Sequence, residues 1–449
     1  MIHMQDTDVS TASAMAPTLD ANPKGLSRDP VKTVVFASMI GTAIEFYDFY
    51  AYGTAAAAYF PQVFFPEVTP TIATLLSLLT FGVAFVARPL GSLVFGHFGD
   101  KIGRKNTLIV SLLLMGCSTV LIGVLPGYAT LGITSVVLLC LCRFVQGVGL
   151  GGEWSGAALV ATENAPANRR ALYGAFPELG APLGFFLSNG LFFVLEMTLT
   201  PAQMISFGWR IPFIASSLLV FIGFWVRERM QETPMFRLAQ KRQTVTKSPL
   251  KTVFKTSWRQ LIQGTFIVSV TYTLFYTLAT WSLTYATTTL GFSNKEYLLM
   301  LMAAIIVFAV MIVVASQFAD VLGRRRVLIS ASCLLLLFAF AFPYLLQGHR
   351  NFVGAMTFLV VGFILMGTAF GPVGAVLPEL FSTKVRYSGA GISYNVAAIV
   401  GAAFAPTIAT WLSTHWGIQS VGVYLGIMAV ACLISLLTVK ETKEVDFTK

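Results

Sequence analysis

Six ionisable residues stand inside otherwise apolar stretches of the chain: Glu45, Asp48, Arg88, Arg143, Glu153 and Glu178. An ionisable side chain at the centre of an apolar span costs roughly 2.5–3.5 kcal/mol on insertion scales, so each is a candidate for function. Glu45 and Asp48 are three residues apart and share a helix face. Two acids that close do not both ionise cheaply in a low dielectric, and one is expected to hold a proton near neutral pH. That is the chemistry of proton coupling, with Glu153, which follows a run of glycines, as a third candidate. The alternative for Glu45 and Asp48 is a purely structural salt bridge to Arg88 and Arg143. Each of these arginines can present a fork of donors to a substrate carboxylate, or be occupied internally by the four acids.

Around this set stand polar residues able to line a substrate cavity: Tyr272, Tyr276 and Trp281, interleaved with threonines, and Asn395. Core packing is the competing reading of the aromatic group. Other chemistries are poorly served. His3, His97, His349 and His415 fall in the tail or loops, and Cys140 and Cys142 have no second ligand pair, so neither metal nor cofactor is expected. Gly147, Gly149 and Gly152 match the dinucleotide pattern G-x-G-x-x-G only literally, because that motif needs a strand before it. Small residues for close helix packing are the better reading. With no nucleophile, metal cluster or nucleotide loop, an enzyme is not expected.

The elements that carry these residues follow from composition. The chain has 449 residues, 56% hydrophobic and 11% charged, with mean hydropathy +0.75; soluble domains carry about twice that charged fraction. Residues 1–30 read as a disordered cytoplasmic N-terminal tail without signal-peptide character. Apolar stretches long enough for a bilayer core about 30 Å thick follow near 31–60, 71–96, 107–126, 131–161, 171–196 and 207–227, then near 259–290, 296–319, 327–346, 352–380, 388–413 and 417–439. The expected fold is an all-α membrane protein of twelve transmembrane helices in two six-helix bundles, 31–227 and 259–440. A basic cytoplasmic connector, 228–258, joins the bundles, and a short tail, 441–449, ends the chain. Aromatic residues, 13% of the chain, are expected mostly at the lipid and interfacial surface.

The net charge of +10 would suggest nucleic acid if read alone, but its placement reports topology. Of 30 Lys and Arg, only Arg210, Lys295 and Arg350 fall in odd-to-even loops, and only Arg88 and Arg143 lie deep in spans. The rest lie in the tails and even-to-odd loops, which puts both termini in the cytoplasm.

Two segments repeat at a spacing of 220 residues: Gly96, Asp100, Gly103 and Arg104 between the second and third spans, and Ser316, Asp320, Gly323 and Arg324 between the eighth and ninth. A looser pair sets Glu163, Arg169 and Arg170 against Glu379 and Arg386. Two six-span halves in one orientation form a parallel repeat, an arrangement of transporters with a site between the halves at mid-membrane. The first loop resembles the loop signature of the major facilitator superfamily, and Arg143 through Gly147 is similar to its span-four motif. Glu45 through Phe49, Arg88 through Gly91, Gly151 through Trp154, and Pro378 through Phe381 with Val385 through Gly389 resemble its metabolite:H+ symporter branch. These are bacterial inner-membrane carriers of the organic-acid, shikimate and proline-betaine type. The resemblance spans about residues 31–440.

The resemblance implies a secondary active transporter in the bacterial inner membrane that imports a small organic acid by proton symport. It also implies a cytoplasmic gate built from Gly96, Asp100, Gly103, Arg104, Asp320, Arg324, Glu163, Glu379 and Arg386, with Glu178 nearby as a further gate residue. Asp100 is expected to pair with Arg104 or to meet the N-terminus of the eleventh span near Tyr387. Uptake of a proline- or betaine-like zwitterion is the runner-up. Export or antiport is a further alternative, because Gly180 through Gly184 partly resembles an exchanger motif; a channel is the alternative from another class. The expected partners are the small-molecule substrate, protons and membrane lipid, with no nucleic acid and a functional monomer.

Overall fold

A computed structural model describes residues 31–102, 104–151, 153–163, 165–229, 249–382 and 385–445, and their side chains except at 31–37, 96–102, 104–108, 160, 167, 226–227, 229 and 249–252. The expected N-terminal tail, most of the connector, Gly103, Gly152 and the last four residues lie outside the described residues. So do the side chains expected at Gly96, Asp100 and Arg104.

The described residues form helices and connecting turns, with no strand among them. Twelve membrane-length units follow in order. They are α1 Val31–Ala58, α2 Pro70–Ile102, α3 Arg104–Val124, α4 Ile133–Glu163, α5 Arg170–Thr198 and the bent α6, Pro201–Gly208 with Arg210–Arg229. The second set is α7 Trp258–Leu290, α8 Asn294–Leu322, α9 Arg324–Leu345, α10 Phe352–Glu379, α11 Arg386–Trp416 and α12 Ile418–Thr438. At 1.5 Å rise per residue even the 21-residue α3 covers about 30 Å. The bend in α6 is 46°. Short π-helical segments interrupt α7 at Thr277–Trp281 and α11 at Ile399–Ala403, a distortion frequent at functional sites.

The repeat is visible in the packing. In the first half α1 packs on α5, α2 on α4 and α3 on α6; in the second half α7 packs on α11, α8 on α10 and α9 on α12. Glycines set the closest approaches, since helices in lipid associate through packing and not through hydrophobic burial. A Cβ on Gly147 of α4 would lie 2.0 Å from the Ala84 carbonyl of α2, and one on Gly184 of α5 would lie 2.6 Å from the Ala43 carbonyl of α1. Gly147 and Gly149 of the nucleotide-like run, and Gly180 and Gly184 of the exchanger-like segment in α5, are therefore helix-packing residues here.

Large apolar side chains such as Leu218, Phe221, Leu337 and Ile427 are more than half exposed and form the lipid-facing surface. The aromatic expectation needs correction, because a large set of rings sits inside. Phe49, Tyr52, Phe60, Phe81, Phe85, Trp209 and Phe213 interlock in the first half. Rings fill volume between helices and stack edge to face with gain beyond area burial. Most of α7 is buried along its length, so Thr271, Tyr272, Thr273, Tyr276, Thr277 and Thr280 face protein and not lipid.

Candidate functional site

Two polar networks occupy the interior of the first half. The first faces the second half. Arg88 of α2 projects its Nη2 to 2.5 Å from Glu45 Oε1 of α1, with both residues 3% exposed or less. Its other terminal nitrogen donates at 3.5 Å to the Tyr272 hydroxyl of α7, and the guanidinium lies over the rings of Phe49 and Phe85. The pair borders a narrow cleft walled also by Trp154, Ser155, Tyr394 and Asn395, with no internal space wide enough for a water molecule. Ligand pockets usually hold roughly 300–1,000 Å³, so the cleft is shut in this conformation. Asn395 of α11 donates across the interface to Ser92 Oγ of α2 at 2.7 Å and to the Gly151 carbonyl of α4 at 3.0 Å.

The second network lies behind the first, within the α1–α6 bundle. Asp48 is fully buried and accepts from Thr119 Oγ1 of α3 at 2.8 Å and from Ser216 Oγ of α6 at 2.7 Å. Gln146 of α4 donates to Thr119 at 2.9 Å and accepts from Arg143 at 2.5 Å, while Arg143 also donates to the Phe81 carbonyl at 2.9 Å. Its guanidinium stacks on the Tyr52 ring at 3.9 Å, a cation–π contact made stronger by desolvation. Among the described residues Arg143 has no carboxylate within ion-pair distance, and Asp48 no cation. Thr119 and Gln146 link the two charges instead.

Glu45 and Asp48 thus serve different networks, although the spacing puts them on one face. Three residues along a helix is a turn of about 300°, so the two side chains diverge by about 60°. That is enough to send Glu45 to the interface and Asp48 into the bundle. Arg143, expected at the substrate, is screened from the cleft by its ring and amide partners. Tyr276 packs between Phe81 and Phe85. Trp281 lies away from the cleft, donating to Ser413 and stacking on Tyr285. Glu153 accepts from Ser111 of α3.

Glu178, expected at the gate, is fully buried one layer further in. Its Oε1 accepts from Trp154 Nε1 at 3.2 Å. Trp154 in turn lies flat on Tyr394 of the second half, with ring centres 3.7 Å apart and planes 3° from parallel.

The face that carries the starts of α5 and α9 and residues 441–445 is closed by a ring of polar contacts. Asp320 accepts from the backbone N–H of Ala171 and Leu172 at 3.0 and 2.9 Å, capping the N-terminus of α5 across the interface. This is the pseudo-symmetric counterpart of the contact expected for Asp100 at α11. Arg324 pairs with Asp320 at 3.1 Å and with Glu379 at 3.3 Å, and Arg386 lies in the field of Glu163 and Glu379. The sequence reading missed the C-terminal segment. Glu441 accepts from the N–H groups of Arg324 and Arg325, Thr442 donates to Glu379, and the Val445 carbonyl accepts from Arg170 of the first half. The clue was an acidic residue within reach of a helix N-terminus.

Comparison with known proteins follows the same lines. The family model of the Major Facilitator Superfamily matches residues 38–399. The chain is 54% identical over 435 residues to the inner membrane metabolite transport protein YhjE of Escherichia coli (strain K12), covering 96% of this chain and 99% of that protein. It is 35% identical to the shikimate transporter of the same strain, over 93% of this chain and 96% of that protein. It is 32% identical to the strain's proline/betaine transporter, over 92% and 84%. The solved partially occluded, inward-open xylose transporter XylE of E. coli aligns with a TM-score of 0.71 at 16% identity, over 92% of this chain and 98% of that one.

Proposed function

The chain belongs to the major facilitator superfamily of membrane transport proteins, and on that premise we propose that it imports a small organic carboxylate by proton symport through alternating access. The observation that carries this reading is the Arg88–Glu45 pair on the cleft between the halves. A carboxylate entering the cleft competes with Glu45 for the guanidinium. Glu45 leaves Arg88 only if it takes up a proton, since a released carboxylate would be buried uncompensated. The empty site holds Arg88 with ionised Glu45. The loaded site holds Arg88 with the substrate carboxylate and neutral Glu45, so the cleft keeps the same net charge and one proton enters with each bound carboxylate.

In this scheme Tyr272 and Asn395 from the second half orient the substrate, and Tyr276 shapes the wall. Asp48 balances the charge of Arg143 through Thr119 and Gln146 and, with Glu153 as a third coupling residue, passes on the proton that Glu45 takes up. Arg143 and Trp281 act on the substrate only indirectly. The halves, 31–227 and 259–440, rock about the cleft. The basic-loop asymmetry assigns the face bearing both termini and the connector to the cytoplasm, in an inner membrane. The Asp320, Arg324 and Glu379 cluster then latches the cytoplasmic side, and the monomer is the working unit.

Zwitterion uptake is the second reading, because the aromatic faces of Trp154 and Tyr394 stand in the same cleft as Glu45, and such faces attract cationic groups. The discriminating experiment is counterflow in proteoliposomes with a panel of labelled carboxylates and zwitterions at two pH values. Carboxylate exchange that strengthens at the lower pH supports the first reading. Exchange of zwitterions alone, without pH dependence, would replace it with the second.

A further inference from the structure

Glu178 is a buried acid that neither network uses. The geometry points to Glu178 as a gate-linked proton switch, which takes a proton from cytoplasmic water as the cytoplasmic halves shut and returns it when they part, adding nothing to the one proton taken up with each substrate. This inference rests on alternating access and on the cytoplasmic assignment of the closed face, but not on the identity of the substrate.

Three observations carry it. First, Glu178 sits beside a close backbone contact between the halves. Gly174 of α5 and Gly374 of α10 meet backbone to backbone, such that a Cβ on Gly374 would lie 2.3 Å from the Gly174 carbonyl and 3.3 Å from Glu178 Oε1. Second, the carboxyl is sealed: Oε1 accepts one bond from Trp154, and Oε2 is buried without a hydrogen-bond partner. Third, among the described residues the groups acting on it include no cation. Glu45 and Tyr50 face it from α1, Trp154 from α4, Tyr272 from α7 and Tyr394 from α11, and α10 brings the Gly374 backbone close to Oε1. A carboxylate buried with one bond and no counter-ion is strongly disfavoured against the neutral acid. The closed state therefore binds the proton.

Opening the cytoplasmic side has to undo the same contacts. Trp154 and Tyr394 come from opposite halves, as do Gly174 and Gly374, so separation unstacks the rings and lets water reach Glu178. The O–H bond then breaks to water, leaving a hydrated carboxylate on the protein and a proton in the cytoplasm. No oxidant or co-reactant is involved. Trp154 is the positioning residue. Its N–H steadies Oε1 and its ring registers whether the second half is in place.

The test reads the gate without substrate or transport. A cysteine at Ser155, which lies on the cleft wall against Gly391 of the second half, reports opening by its labelling rate with a membrane-impermeant maleimide in inside-out vesicles. Rates are normalised to the reagent's own pH dependence, and vesicles without Ser155→Cys give the background. In the otherwise wild-type carrier labelling should rise with pH, by up to about tenfold per unit for a one-proton transition. Glu178→Gln, permanently neutral, should abolish the rise and stay slow throughout. Trp154→Phe keeps a ring against Tyr394 but removes the donor that favours the ionised form, and should move the midpoint to higher pH. A pH dependence that survives Glu178→Gln, or a midpoint unmoved by Trp154→Phe, overturns the assignment. Failure of carboxylate counterflow with the labelling pattern intact would overturn the substrate reading alone.

Discussion

Replacing Glu45 with Gln isolates the exchange at Arg88. The guanidinium lies 2.5 Å from Glu45 Oε1 with both side chains nearly sealed from water. Removing one partner of such a pair costs about 3–5 kcal/mol, because the remaining charge is buried alone. The empty variant should therefore melt well below the wild type, and a carboxylate substrate, which supplies the missing charge, should restore much of the loss. Binding separates the reasoning from a simple stability effect. In the wild type the loaded site holds one more proton than the empty site. Affinity then falls as pH rises through the titration of Glu45 in the loaded state, by up to about tenfold per unit. In Glu45→Gln no carboxylate has to leave Arg88, so affinity should be flat with pH and exceed the wild type at alkaline pH. Calorimetry of the purified carrier in two buffers of different ionisation enthalpy counts the protons taken up on binding. A variant that keeps the wild-type pH slope, or that binds carboxylates more weakly at alkaline pH, refutes the exchange.

Three further predictions address the parts around that pair. Asp48→Asn removes the charge that balances Arg143 through Thr119 and Gln146. Proteoliposomes should lose accumulation driven by a proton gradient while retaining some exchange, and undiminished accumulation would exclude a coupling role. Asp320→Asn weakens two charge-assisted bonds to the N-terminus of α5, each worth about 1.5–3 kcal/mol. Spin-label distances across the terminus-bearing face should shift toward the open population by at least about tenfold; an unchanged distribution counts against the latch. Gly147→Ala forces α2 and α4 apart at the Ala84 carbonyl and should cost about 1–3 kcal/mol in thermal unfolding. Gly156→Ala meets nothing nearer than 3.8 Å and should be nearly silent.

Much of the architecture was legible because lipid imposes simple rules: apolar length for each span, basic loops for orientation, small residues at close crossings. The paired Asp100 and Asp320 motifs exposed the repeat, and the packing of α1 on α5 and α7 on α11 repeats accordingly. What spacing could not give was the azimuth of each helix against its neighbours. Glu45 and Asp48 look like one diad along the chain, yet about 60° of rotation places them in separate networks. The same limit hid the partners of Arg143, which are a ring, an amide and a backbone carbonyl, none of which carries a charge pattern in sequence. Trp154 and Tyr394 are 240 residues apart and adjacent only through assembly of the halves. Glu441 reads as part of an ordinary polar tail until the fold brings it to the start of α9.

The most direct test of the account is substrate-induced proton movement in proteoliposomes carrying a pH-sensitive dye inside. Adding a transported carboxylate outside, with no imposed gradient, should acidify the lumen in step with uptake of the labelled acid, and Arg88→Lys should sharply reduce both. Carboxylate uptake with no lumenal acidification would contradict proton symport.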